Sequence, residues 1–130
     1  MRLSADDVLL IHQAAMRDLP QPSEAIGARE LAQLERILDL ADIGSADDAV
    51  VLAADIAVQL ALHRLFPNGN DRTAVLVAAV IIDAAGYKLP ADWTELSDLL
   101  LSIRRSSKGP GWMSEQVRGW LRQQGCGSGA

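Results

Sequence analysis

Two long apolar runs separated by a turn of Pro, Asn and Gly constrain this chain more than any other feature. The first runs from the capping signal Ser45 and Asp48 to about Leu65, the second from about Asp71 to Ala85. Between them stands Pro67-Asn68-Gly69-Asn70, residue types that stop one helix and start another. Apolar residues fall on nearly every face of the first run, from Val50 through Leu62, so that helix belongs at the centre of the molecule. Two such helices joined so briefly predict an antiparallel central pair with the other elements wrapped around it. Ala, Leu, Val and Ile supply most of the 49% hydrophobic content, and only 4% is aromatic. That balance favours helices packed through small side chains over a β-sandwich.

The flanking elements follow from punctuation. Ser4 followed by Asp7 predicts an N-cap and a helix to about Asp18, broken by Leu19-Pro20-Gln21-Pro22-Ser23. Leu31, Leu34, Ile37 and Leu38 predict a helix from about Ala28 that ends near Gly44. Gly86 predicts a left-handed close to the second apolar helix, and Asp92 predicts a cap for a helix carrying Leu96, Leu99, Leu100 and Ile103. Residues 106–111 read as a flexible loop, and the last helix is expected from about Met113 with Val117, Trp120 and Leu121 as its stripe. The expectation is one all-α domain of about six helices over residues 1–124, with 125–130 as a disordered tail.

Charge and cysteine content narrow the setting. A formal net charge of −5 argues against a general nucleic-acid binder. Cys126 is the only cysteine, so no intramolecular disulfide forms and a reducing cytoplasm is the expected location. The first seven residues lack the apolar stretch of a secretory signal, and Asp55, Gln59 and Asp83 interrupt the apolar runs, so no membrane span is expected.

The segment from His63 to Ala74 carries the chemistry. Gly69 lets the backbone approach a ligand and adopt conformations closed to other residues. The helix that starts there points unpaired N–H groups and its positive dipole end into the turn, which suits a phosphate. Arg72, in the first helical turn, has the reach to grip a phosphate with two parallel hydrogen bonds, and Asn70 either orients it or caps the helix. The plainer reading of the same residues is a helix-to-helix turn followed by a solvated arginine.

This segment resembles the motif of the Fic/Doc family, His-x-Phe-x-Asp/Glu-Gly/Ala-Asn-x-Arg, at Phe66, Gly69, Asn70 and Arg72, with Thr73-Ala74 following as in Doc-type members. The likeness extends to Leu3–His12, similar to the first Doc helix, to Arg29–Glu35, and to the run from Thr73 to Leu89, and so covers almost the whole chain. The resemblance implies an all-helical fold that binds ATP or another nucleotide with Mg²⁺. It also implies transfer of phosphate or AMP to a protein hydroxyl, with a translation factor such as elongation factor Tu as target and an antitoxin peptide or helix as partner. Carried over, Asn70 and Arg72 bind phosphate, Gly69 shapes the anion hole and Phe66 anchors the loop in the core.

Three positions depart from the family pattern. The catalytic histidine is replaced by Arg64, which cannot act as a general base because its pKa lies far above neutral. His63 is adjacent but rotated by roughly 100° on a helix. The acidic Mg²⁺ position holds Asn68, a poorer ligand for a hard cation, and the usual lysine is Asp71, which would repel phosphate. No metal ligands are assigned. His12 or Asp55 would be the substitute base, against plainer roles on a helix face and with a buried partner. The leading expectation is a Doc-like toxin-type protein that binds a phosphate-bearing ligand, with or without group transfer. The alternative is a non-catalytic pseudoenzyme that binds a ligand or partner. The basic cluster Arg104, Arg105 and Lys108 either steers a nucleotide or acidic partner or is a solvated helix end. Trp93, Trp112 and Trp120 are expected in packing, with Trp112 as a candidate edge of a groove for an antitoxin helix.

Overall fold

The computed structural model describes residues 3–17, 26–39, 46–89 and 92–126. Among them are six helices and no strand: α1 (Ala5–Met16), α2 (Ala28–Asp39), α3 (Ala46–His63), α4 (Asn70–Ala84), α5 (Thr94–Arg104) and α6 (Pro110–Gln123). The all-α expectation is met. None of these helices is long and apolar enough to cross a membrane.

The helix ends show why the chain breaks where it does. At α1, Asp7 N–H donates to Ser4 Oγ at 3.2 Å and Ser4 N–H donates to Asp7 Oδ2 at 2.9 Å, a reciprocal capping box. These bonds from Ser4, the backbone one first, hold the Asp7 carboxyl below its usual range. The expected boundaries at Asp18, Leu19–Ser23, Gly44 and Ser45 lie outside the described residues. α4 closes as expected: Gly86 is left-handed at φ 82°, its N–H donates to Asp83 C=O, and Tyr87 N–H donates to Ile82 C=O. Asp92 Oδ1 accepts from Thr94 N–H at 2.8 Å, so it caps α5 from just outside the helix.

Two boundaries differ from the sequence reading. α6 starts at Pro110 rather than near Met113, because proline's fixed φ and missing N–H suit the first position of a helix. Gly125 and Cys126, expected in a disordered tail, instead extend the packed structure. Gly125 takes φ 88°, Cys126 N–H donates to Leu121 C=O at 3.0 Å, and the Cys126 side chain is buried with its thiol donating to Lys88 C=O at 3.3 Å. Burial pushes that thiol's pKa up.

α3 and α4 share the most extensive interface, followed by α3 with α6 and α1 with α4. The short Arg64–Gly69 connection folds α4 back along α3, the expected central pair. Fully buried alanines on both helices, Ala53, Ala57, Ala74 and Ala78, permit close approach of the two backbones. Leu34, Leu96, Leu100, Val117 and Leu121 from the surrounding helices are also completely buried. Removing such a leucine side chain costs about 2–5 kcal/mol. The tryptophans pack as expected: Trp93 and Trp120 meet at 5.9 Å, and Lys108 Nζ lies 4.7 Å from the Trp112 ring.

Candidate functional site

The turn between α3 and α4 is built by burying its middle. α3 ends at His63, and Arg64 takes φ 48°, a left-handed conformation that costs a non-glycine residue about 1–2 kcal/mol. That reversal directs Leu65 and Phe66 into the core, where both are buried. Phe66 is thus the anchor expected from the sequence. Asn70 then closes the turn. Phe66 N–H donates to Asn70 Oδ1 at 3.0 Å, and Asn70 Nδ2 donates to Phe66 C=O at 2.7 Å. The side chain is 3% exposed, so its amide holds the backbone and is turned away from solvent. Assigned to phosphate from the sequence, Asn70 instead supports the loop that would meet it.

α1 supplies the floor. The His12 ring stacks on Phe66 with centroids 3.9 Å apart and planes 9° from parallel, and His12 Nε2–H donates to Asn68 C=O at 3.0 Å. Gly69 has φ 74°, and a Cβ there would lie 2.5 Å from Met16 Sδ. The left-handed backbone favours glycine, and a side chain there would also displace the end of Met16. His12, considered from sequence as a substitute base, is buried beneath the turn and braces it. Sequence reasoning missed Met16, although Val8, His12 and Met16 recur every four residues, the spacing of one helix face.

Charge at the start of α4 is arranged across three elements. Asp71 Oδ1 accepts from Arg104 Nη1 at 2.5 Å and lies 3.7 Å from Arg64 Nη1. Asp71, expected to repel phosphate, is therefore compensated by two arginines, and Arg104 is engaged rather than solvated. Arg72 is exposed and makes no hydrogen bond or ion pair with the described residues.

His63 is not part of this arrangement. Its Nε2–H donates to Gln59 Oε1 at 3.0 Å, one turn back on α3, and its side chain lines a recess toward α2 together with Arg64. Asp55, the other substitute base considered, is further back on α3 and accepts a hydrogen bond from Ser114 Oγ of α6. Ser114 is buried, so Asp55 does satisfy a buried partner.

The donors at the turn do not fit Mg²⁺. Asp71, the one carboxylate in residues 64–72, is held by Arg104, and Asn68 offers only neutral oxygens, one of which accepts from His12. Among the described residues no three His, Cys, Asp or Glu side chains gather as a metal site. A phosphate fits better, since Arg72 and the first N–H groups of α4 supply unpaired donors at the start of that helix. Compared with protein-family models and with curated proteins, the sequence matches none.

Proposed function

We propose that this chain is a Doc-like protein of toxin–antitoxin ancestry that binds the phosphate of a nucleotide or similar ligand at the α3–α4 turn, with Arg72 as the gripping residue. The observation that carries the reading is the charge arrangement. Arg104 and Arg64 neutralise Asp71, which leaves Arg72 exposed and unpaired with the described residues beside a left-handed Gly69. A dianionic phosphate there meets a guanidinium and a helix dipole with no uncompensated carboxylate in the way.

The same geometry favours binding over group transfer. A general base must reach the hydroxyl it deprotonates. Arg64 cannot serve, His63 bonds to Gln59, and His12 is buried with Nε2–H directed at Asn68 C=O. The proposed role is therefore a non-catalytic ligand-binding protein of Doc-like type.

The test uses ATP labelled at the α or the γ phosphate, purified protein, Mg²⁺ and cell extract, with Arg72→Ala beside the wild type. The expected result is nucleotide binding that Arg72→Ala weakens at least tenfold, with no label on any protein. Label transferred from γ, and lost in the variant, would make it a kinase; label from α would make it an AMP transferase. Either would overturn the non-catalytic reading.

A further inference from the structure

A cavity lies away from the turn. α2, α3 and α6 enclose about 520 Å³ with an aliphatic floor of Ile37, Leu52, Ile56 and Val58. A second recess of about 330 Å³ adjoins it, and Gln33 and Arg36 form the common wall. Gln59 in the first cavity is hydrogen-bonded to His63 in the second, so one helix face lines both.

The two parts differ in character along a single cleft. The second recess collects Arg29, Arg36 and Arg64 against one carboxylate, Glu30. Glu30 folds back along α2, with Oε2 only 2.7 Å from the point where a Cβ on Gly27 would stand. Arg36 Nη2 donates to Gln33 Oε1 at 2.6 Å, which leaves its other donors facing the recess without a carboxylate partner among the described residues. Arg118 adds a fourth guanidinium at the apolar end, where its Nε donates to Ser114 C=O at 3.4 Å and Asp55 accepts from the Ser114 hydroxyl. With Arg64 turned to Asp71 at 3.7 Å, three further arginines, Arg29, Arg36 and Arg118, border the cleft against two carboxylates, Glu30 and Asp55, in a chain whose formal net charge is −5. An apolar cavity with a few converging polar groups is the usual make-up of a small-molecule site, and arginine's planar fork matches an oxyanion headgroup.

We infer that this cleft binds an amphipathic organic anion, with its apolar body on the α2–α3 aliphatic floor and its oxyanion headgroup held by Arg29 and Arg36. The site is separate from the Arg72 site and stands whether or not the turn binds phosphate.

Titration calorimetry with n-octyl phosphate below its micelle concentration tests this, with octanoate, octanol and inorganic phosphate as parallel arms. Octyl phosphate or octanoate should bind at least tenfold more tightly than octanol and than inorganic phosphate; the tighter of the two identifies the headgroup. Arg36→Ala should weaken that binding tenfold or more with an unchanged melting temperature. Arg122→Ala, which removes an exposed arginine outside the cleft, should leave it unaltered. Should Arg36→Ala fold poorly, Arg36→Lys keeps the charge but not the fork and should give a loss of several-fold. Octanol binding as tightly as octyl phosphate, no measurable binding of either anion, or binding indifferent to both Arg36 variants would overturn the inference.

Discussion

At the turn between α3 and α4, both ends of the Asn70 amide return to the backbone of Phe66, and His12 and Met16 of α1 fill the space beneath. In the cleft between α2, α3 and α6, arginines from α2, α6 and the α3–α4 connection border open volume above an aliphatic floor. Both regions use α3, yet their polar groups do opposite things. The turn's polar side chains mostly face inward and fix a shape, so its one outward functional group is Arg72. The cleft's polar side chains face a space large enough for a ligand. A recognisable motif therefore marks a rigid scaffold for a small contact, while the roomier site is assembled from residues with no pattern in the sequence.

That contrast can be broken by mutation, with the largest effect at the turn. Asn70→Ala should destabilise the protein by about 3 kcal/mol in urea denaturation, because it strands the buried N–H and C=O of Phe66 together. A loss below about 1 kcal/mol would mean that the amide does not hold the turn. Gly69→Ala should cost about 2 kcal/mol from its left-handed backbone, with Met16 as the neighbour that must move. Adding Met16→Ala relieves that contact but not the backbone cost, so the double variant should not recover the wild-type melting temperature. Thr73 Oγ1 is the exception among inward-facing groups: among the described residues it is the buried side-chain polar atom with no hydrogen-bond partner. Thr73→Val should therefore stabilise by about 1 kcal/mol, and destabilisation would show that the hydroxyl has a partner.

The smallest effect concerns the platform under the turn. Asp7 has its carboxyl pKa lowered on folding by bonds from Ser4, so its stabilisation of α1 is present at neutral pH and lost as pH falls through the folded value, below about pH 4. Asp7 is exposed, which keeps the loss small. Melting curves from about pH 6 to pH 3 should fall more for the wild type than for Asp7→Ala, which lacks the titrating carboxyl of the reciprocal cap. Parallel falls would remove the capping box as the cause.

The helices were legible because their signals are local. Ser4 with Asp7, Gly86, and the apolar faces of α3 and α4 each act within a few residues. Pro110 was legible too, since proline favours a first helical turn, but the surrounding Ser and Gly residues outweighed it. The left-handed Arg64 could not be read, because it arises from the need to bury Leu65 and Phe66 immediately after a helix. The Asp71–Arg104 pair joins α4 to α5, and it reverses the electrostatic meaning that Asp71 has in isolation. Of the candidate site, Arg72 is exposed in the first turn of α4 and Gly69 is left-handed, while Asn70 and His12 became supports through contacts that only packing creates.

The most direct test of the central claim is ATP binding measured by titration calorimetry on the wild type, Arg72→Ala and Arg36→Ala, with melting curves to confirm that each folds. A turn that grips phosphate through Arg72 predicts at least a tenfold loss of affinity in Arg72→Ala and an unchanged affinity in Arg36→Ala. Undiminished affinity in Arg72→Ala would contradict the account, and a loss confined to Arg36→Ala would move nucleotide binding from the turn to the cleft.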